Sequence, residues 1–140
     1  MKIILKNDKE YIFDIVRKKY IINTPEEWVR QHTIKFLNTK KGYPTSLMSI
    51  EKKTTINNIS KRCDIICYNN NNKPILLVEC KSQNVKLNKE TIHQSLNYQK
   101  VVKAKYIMIT NGTNHFCFYL ESDHIKFLKQ VPSYRDLTII

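Results

Sequence analysis

Residues 61–83 read KRCDIICYNNNNKPILLVECKSQ, and this stretch decides the fold that we predict for the chain. It contains two apolar runs with an asparagine-rich turn between them, a pattern that predicts two neighbouring β-strands. Asp64 lies at the start of the first run, and Glu79 and Lys81 lie at the end of the second. Because a buried charge without a partner costs several kcal/mol, ionisable residues at these strand ends need a chemical reason.

The period of a β-strand suggests what that reason is. Side chains alternate across a strand, so Glu79 and Lys81 share one face while Cys80 points away. If the two strands are neighbours, Asp64 can lie beside Glu79, and two such carboxylates repel each other unless a cation lies between them. Mg²⁺ is commonly held by one or two carboxylates together with water and phosphate oxygens. Lys81 could then contact the attacking water or the charge that develops on phosphorus.

Helix and strand signals surround this stretch. Asn23 or Thr24 can cap a helix that has Pro25 at its first position and extends to about Asn38. The apolar spacing of residues 11–22 fits a helix or a strand, and we leave both open. The other predicted elements are a strand or hairpin from about residue 46, strands at about 62–68 and 75–81, a helix at about 88–103, and later strands in KYIMIT, HFCFYL and HIKFL. This order predicts an α/β or α+β fold with a mixed sheet flanked by helices.

Composition limits the classes of function. The 140 residues are 41% hydrophobic, which predicts one domain over residues 1–140. The formal net charge of +12 favours a polyanionic partner, although an AT-rich genome could explain the excess of Lys over Arg. With two glycines the chain lacks the clustered glycines of Walker A and Rossmann phosphate loops. It has no Cys-x-x-Cys pair, membrane span or signal peptide, so we expect a cytoplasmic protein with reduced core thiols.

A family resemblance rests on four blocks of sequence. Asp64 followed by Glu79-Cys80-Lys81 resembles the motif of the PD-(D/E)XK nuclease superfamily, with Cys63 where that motif has proline. The ordered blocks TPEEWVRQ, KRCDIICY, LLVECKS and HQSLNYQ resemble the N-terminal nuclease domain of type I restriction enzyme R subunits. The resemblance extends from about residue 17 to about residue 120, and it implies a restriction-endonuclease-like core.

The resemblance also implies an activity. It predicts a metal-dependent endonuclease that hydrolyses DNA phosphodiester bonds, with Mg²⁺ as cofactor and Mn²⁺ as a possible substitute. Asp64 and Glu79 would bind the metal, and Lys81 would complete the catalytic group.

Two further elements are implied by the resemblance alone. An acidic residue on the first helix would complete the metal site, and this is Glu27 or Glu26, with Glu27 slightly favoured by its alignment with the apolar side of the helix. A Gln-x-x-x-Tyr motif, here Gln94 and Tyr98, would position the substrate or support the active site.

The implied partners are DNA and other restriction–modification subunits or a second copy of the chain, with no membrane. The sequence contains no helicase motor, and Met1 with the closing segment VPSYRDLTII favours a stand-alone relative over an excised domain. The alternatives are a non-cleaving nucleic-acid-binding or assembly module that keeps the nuclease fold, and a structural subunit of a larger complex.

Overall fold

The computed structural model describes residues 1–56 and 59–139, with the side chains of residues 51–63 and 97–101 outside that description. Its helices are α1 (Pro25–Lys41), α2 (Lys89–Val102) and α3 (Tyr134–Thr138), and a short 3₁₀ turn covers Thr45–Leu47. Its strands are β1 (Ile3–Lys6), β2 (Lys9–Asp14), β3 (Lys19–Ile22), β4 (Met48–Ile56), β5 (Ile59–Tyr68), β6 (Pro74–Cys80), β7 (Tyr106–Thr110), β8 (His115–Glu121) and β9 (His124–Leu128).

The strands form two sheets. One contains β1, β2 and β3 in that order, and the other contains six strands in the order β4-β5-β6-β7-β8-β9. Within the larger sheet β6 and β7 are parallel and the other described neighbours are antiparallel. The predicted mixed sheet and the α+β class are therefore confirmed.

The central strand β6 is buried from both sides. Leu76 and Val78 belong to one apolar cluster with Val29 and Leu37 of α1. Leu77, which points to the opposite face, belongs to a second cluster against which residues of α2 pack. Burying each such aliphatic side chain contributes about 1.5–3 kcal/mol, so the end of β6 is held firmly in place.

Helix α1 begins where the sequence predicts and ends later. The Thr24 side chain accepts a hydrogen bond from the backbone N–H of Glu27, and Pro25 occupies the first turn. The helix continues to Lys41 rather than about Asn38, because the residue that ends it is Gly42, whose φ of 76° lies in the left-handed region. The N–H of Tyr43 then donates to the carbonyl of Leu37 at 3.0 Å.

Residues 11–22, whose apolar spacing fits a helix or a strand, form parts of strands β2 and β3. The Asp14 carboxylate accepts hydrogen bonds from the N–H groups of Val16 and Arg17 at 2.9 and 3.0 Å. It thereby fixes a turn that also needs Lys18 at a φ of 59°. This local bonding favours a hairpin over a continuous helix, and the sequence did not predict strand β1.

The remaining elements follow the predictions closely. Strand β5 begins at Ile59, a few residues before the predicted start, and α2 begins after Asn88, whose side chain accepts from the N–H of Thr91. Cys67, Cys80 and Cys117 are free and buried as expected, while the side chain of Cys63 is outside the described residues. No helix in the described part of the chain is long and apolar enough to cross a membrane.

Replacing Thr24 with alanine should destabilise the protein by about 1 kcal/mol, because the N-terminus of α1 loses its capping oxygen. Thr24→Ser keeps that oxygen and is the matched control. Urea unfolding followed by circular dichroism measures both variants, and equal stability of Thr24→Ala and Thr24→Ser would contradict the capping role.

Candidate active site

The pairing of β5 with β6 brings the two predicted carboxylates together. Ile66 lies opposite Leu77 and Ile65 lies opposite Val78, and one more step of this register sets Asp64 opposite Glu79. The Asp64 Oδ2 atom accepts a hydrogen bond from the backbone N–H of Cys80 at 2.8 Å. The Asp64 side chain thus binds an amide of β6 just past the last paired residues of the two strands.

Glu79 is a buried carboxylate with an unusual environment. Its exposed fraction is 5%, and its Oε2 atom has no hydrogen-bond partner among the described residues. Burial raises the pKa of Glu79 above its usual value, and the charges of Asp64 and Glu26 raise it further, whereas Lys81 opposes the shift. A buried oxygen of this kind costs free energy unless a proton or a cation satisfies it.

Lys81 lies on the same side of the chain as Glu79, as the alternation predicts. Its Nζ atom is 3.4 Å from Glu79 Oε1, and its side chain is 22% exposed. The backbone N–H of Lys81 donates to the carbonyl of Thr110 in β7 at 2.8 Å. The ammonium group is therefore attached to a fixed backbone and can still be reached from solvent.

Arg30 connects helix α1 to this strand end. Its Nη2 atom donates to Asp64 Oδ1 at 3.0 Å, and its Nη1 atom pairs with Glu27 Oε1. The other oxygen of Glu27 accepts from the side-chain amide of Gln31 at 3.0 Å, and Arg17 lies 3.5 Å from Oε1. These contacts form a buried network of alternating charge that joins α1 to Asp64.

The two acidic residues at the start of α1 have different surroundings. Glu27 is 7% exposed, and although Arg30, Arg17 and Gln31 all oppose the shift, burial raises its pKa. Glu26 is exposed and lines a recess of about 410 Å³ together with Thr24, Pro25 and Ser82. Glu26 thus lies at a recess that also includes Ser82, the residue after Lys81, whereas Glu27 is bound within the network around Arg30.

The predicted Gln-x-x-x-Tyr motif lies on α2. The Gln94 side chain is exposed, and no described contact joins it to Asp64, Glu79 or Lys81. Tyr98 is one helical turn further along, and its side chain is outside the described residues. Their role in the site stays a prediction.

The donor set fits a small divalent cation that retains water. Among the described residues, no three His, Cys, Asp or Glu side chains come close enough to hold a metal ion by themselves. The unpartnered Glu79 Oε2 beside Asp64 nevertheless offers two carboxylates of the hard-oxygen type that Mg²⁺ uses. Water and substrate oxygens would have to supply the rest of the coordination shell.

Sequence reasoning missed the structural importance of Arg30. The available signal was a charged residue three positions after Glu27, on the same side of α1 as the apolar residues Ile34 and Leu37. An arginine within an apolar stripe requires a buried anion. The sequence could not show that one of its anions would be Asp64, which comes from a different element.

The sequence of the chain matches a known protein family. The model for the N terminus of the type I restriction enzyme R protein (HSDR_N) matches residues 25–132. The chain belongs to this family. The match covers both strands of the candidate site and helices α1 and α2, so the family that the sequence blocks predict is confirmed over most of the chain.

Solved structures agree on the fold. A fragment assigned as an HsdR subunit of a type I restriction enzyme from Vibrio vulnificus YJ016 superimposes with a TM-score of 0.63 at 17% identity. The match covers 82% of this chain and 24% of that one, so the chain spans about a quarter of the matched R-subunit structure.

A protein of the DUF820 family from Anabaena variabilis ATCC 29413, assigned as a nuclease, superimposes with a TM-score of 0.52 at 12% identity. That match covers 96% of this chain and 87% of the other. No curated protein matches the chain. The predicted restriction-endonuclease-like fold is thus confirmed.

Replacing Arg30 with leucine should cost about 3–5 kcal/mol of stability, because Glu27 and Asp64 would then lose their buried cationic partner. The double variant Glu27→Leu/Arg30→Leu should be more stable than Arg30→Leu alone, since it removes one of the two carboxylates. Urea unfolding of the three proteins measures this difference. A loss below about 1 kcal/mol in Arg30→Leu would show that the network is not a structural element.

Proposed function

We propose that this domain is a metal-dependent endonuclease that hydrolyses DNA phosphodiester bonds. The observation that carries the proposal is the buried Glu79 Oε2 atom, which has no hydrogen-bond partner in the described part of the chain and belongs to a side chain that lies near Asp64 and Lys81. A structural ion pair would not need a second, buried carboxylate oxygen to which no described residue donates a hydrogen bond. Catalysis of phosphate hydrolysis needs both a cation-binding oxygen and a fixed positive charge.

Asp64, Glu79 and Glu26 are the residues that we expect to hold the cation. We favour Glu26 over Glu27, because Glu26 is exposed at the recess beside Ser82, whereas both oxygens of Glu27 are already bound, by Arg30 and by Gln31. A bound Mg²⁺ would supply positive charge to the non-bridging phosphate oxygens and polarise the attacking water. Glu27 would instead act as a positioning residue, because it holds Arg30 against Asp64.

Lys81 would contact the reacting atoms directly. Its ammonium group, held near Glu79, can donate hydrogen bonds to the nucleophilic water and to a phosphate oxygen that gains charge as the water attacks. As the water oxygen bonds to phosphorus, its proton passes to solvent and the bond between phosphorus and the leaving oxygen breaks. The leaving oxygen takes a proton from solvent, and the products are one strand end with a phosphomonoester and one with a free hydroxyl. Gln94 and Tyr98 would position the DNA along α2.

DNA as the substrate is supported by the family and by the charge of the chain. The net charge of +12 favours a polyanion, because each phosphate contact releases counterions. The matched structure from Vibrio vulnificus is assigned to a subunit of a type I restriction enzyme. We therefore also propose association with other restriction–modification subunits.

A non-cleaving nucleic-acid-binding module is the second candidate, and one observation favours it. Both oxygens of Asp64 already accept hydrogen bonds, from Arg30 and from the N–H of Cys80. A carboxylate has about four lone-pair positions, so these bonds do not exclude a cation. They do mean that Asp64 is held in place whether or not a metal binds.

Lys81→Ala should slow Mg²⁺-dependent cleavage of plasmid DNA by about 10²–10³-fold, because a preorganised charge at the phosphate is lost. The matched control is Lys73→Ala, which removes an exposed lysine just before the opposite end of the same strand. Gel assays of supercoiled DNA with Mg²⁺ or Mn²⁺ measure the rates, and circular dichroism confirms that both variants are folded.

Two results would count against the nuclease proposal. If wild type cuts DNA and Lys81→Ala cuts equally fast, the catalytic site lies elsewhere. If wild type binds DNA but never cuts it with either metal, the binding-module candidate gains support.

A further inference from the structure

The N-terminal sheet has an outward face with an unusual composition, and it lies before the residues that the family model matches. By strand alternation and register, this face carries three lysines, three aromatic residues and two isoleucines. We call it the aromatic–lysine face, and it consists of Lys2, Ile4, Lys6, Lys9, Tyr11, Phe13, Tyr20 and Ile22. Lys2 belongs to it because its carbonyl accepts from the N–H of Phe13 at 3.0 Å, which extends the pairing of β1 with β2.

Burial differs between the two faces along β2. Ile12 and Asp14 are fully buried, whereas Tyr11 and Phe13, which alternate with them, are partly exposed. On the aromatic–lysine face the exposed fractions are 39% for Ile4, 39% for Tyr20 and 54% for Ile22, and on the other face of the edge strand β1 Ile3 and Leu5 are exposed as well. Large apolar side chains exposed on one contiguous sheet face indicate a surface that binds something.

The charges on this face all have one sign. Within β1 to β3, which the structure describes completely, the carboxylates of Glu10 and Asp14 point to the other face, and Asp8 lies in the turn between β1 and β2. Lys6 and Lys9 are directly opposite each other in the register. Like charges at opposed positions destabilise a strand pair, and a bound anion would relieve that repulsion.

The three aromatic rings lie next to one another, because they come from the same side of the neighbouring strands β2 and β3. Phe13 and Tyr20 meet edge to face with their ring centroids 5.1 Å apart, and Tyr11 is the next residue of β2 on the same side. Tyr20 is exposed, and Tyr11 and Phe13 are partly exposed. Aromatic rings at a sheet surface that are flanked by lysines match the chemistry of unpaired bases joined by phosphates.

We propose that the aromatic–lysine face binds single-stranded DNA. Duplex DNA hides the faces of its bases, so it would use the lysines and leave the aromatic residues without a role. A protein partner would require acidic residues to match the lysines, and nothing in the exposed rings selects for it. Single-stranded DNA uses both features together, with phosphates at the lysines and bases on the rings.

The location of the face connects it to the candidate active site, and this part of the inference rests on the proposed nuclease function. Strand β3 ends at Ile22, two residues before Thr24, which lines the recess that also contains Glu26 and Ser82. Arg17, from the turn between β2 and β3, contacts Glu27 of α1. A DNA strand bound on the aromatic–lysine face would therefore extend toward the carboxylates of the candidate active site. The preferred substrate would then contain a single-stranded segment.

The test measures binding without cleavage. Fluorescence anisotropy with a labelled oligothymidylate of about 12 nucleotides, within the ~4–16 nucleotides typical of such platforms, is recorded in EDTA. Lys6→Glu/Lys9→Glu is compared with Lys126→Glu/Lys129→Glu, which makes the same change in net charge at exposed lysines on and after β9. We expect the first pair to weaken binding at least about tenfold and the second pair to weaken it less than about threefold.

A second variant tests the aromatic residues independently of charge. Tyr20→Leu keeps an apolar side chain on the sheet and removes the ring, so the fold should persist. We expect oligothymidylate to bind at least about fivefold more weakly, while a duplex of the same length changes little. Circular dichroism and the retained duplex affinity show that the variant is folded.

Several outcomes would overturn the inference. Equal weakening by the two lysine pairs would mean that only total charge matters. An unchanged oligothymidylate affinity in Tyr20→Leu would mean that the rings do not stack on bases. Binding to phosphatidylserine vesicles or to a second copy of the chain, without oligothymidylate binding, would assign the face to a membrane or to self-association. None of these outcomes depends on cleavage, so plasmid cutting by the same preparation tests the proposed nuclease function separately.

Discussion

The burial of the Glu79 carboxylate beside a second carboxylate, Asp64, determines how the other charged residues of the site are arranged. The antiparallel register of β5 and β6 brings the two carboxylates together, and burial raises the pKa of Glu79 because its charged form is desolvated. The protein offsets part of this cost with Lys81 on one oxygen of Glu79 and Arg30 on Asp64. It leaves the other oxygen of Glu79 without a partner among the described residues, and that is the atom to which we assign the cation.

The fold fixes the backbones of β6 and α1 before any ligand binds. Strand β6 is held between two apolar clusters, and α1 is held by its Thr24 cap and by the network through Arg30. Side chains supported in this way need little reorganisation when charge develops at a bound phosphate, which is the condition for effective electrostatic catalysis. The nuclease-like fold and the family membership are established by the matches, whereas the metal and the cleavage reaction are our proposals.

Much of the fold could be predicted from the sequence because it depends on local periodicity. The alternation of side chains along a strand correctly predicts that Glu79 and Lys81 lie on one side. The capping residue Thr24 and the following Pro25 correctly predict where α1 begins. The helix ends before Gly42 and Pro44, as the sequence indicates, but it continues to Lys41 instead of about Asn38, because the left-handed Gly42 is the residue that stops it. The apolar spacing of residues 11–22 fits both a helix and a strand, and the turn at Asp14 together with pairing to β1 favours strands. Sequence could not separate Glu26 from Glu27, since neighbouring helix residues diverge by about 100° and tertiary contacts decide which one faces the site.

Calorimetric titration with Mn²⁺ measures the cation site without requiring cleavage. We expect weak, saturable binding to wild type, loss of binding in Glu79→Gln, weaker binding in Glu26→Gln, and near-normal binding in folded Glu27→Gln. These replacements keep side-chain shape and remove only charge. Binding to Glu79→Gln as tight as to wild type would contradict the claim that the unpartnered oxygen of Glu79 is a metal ligand.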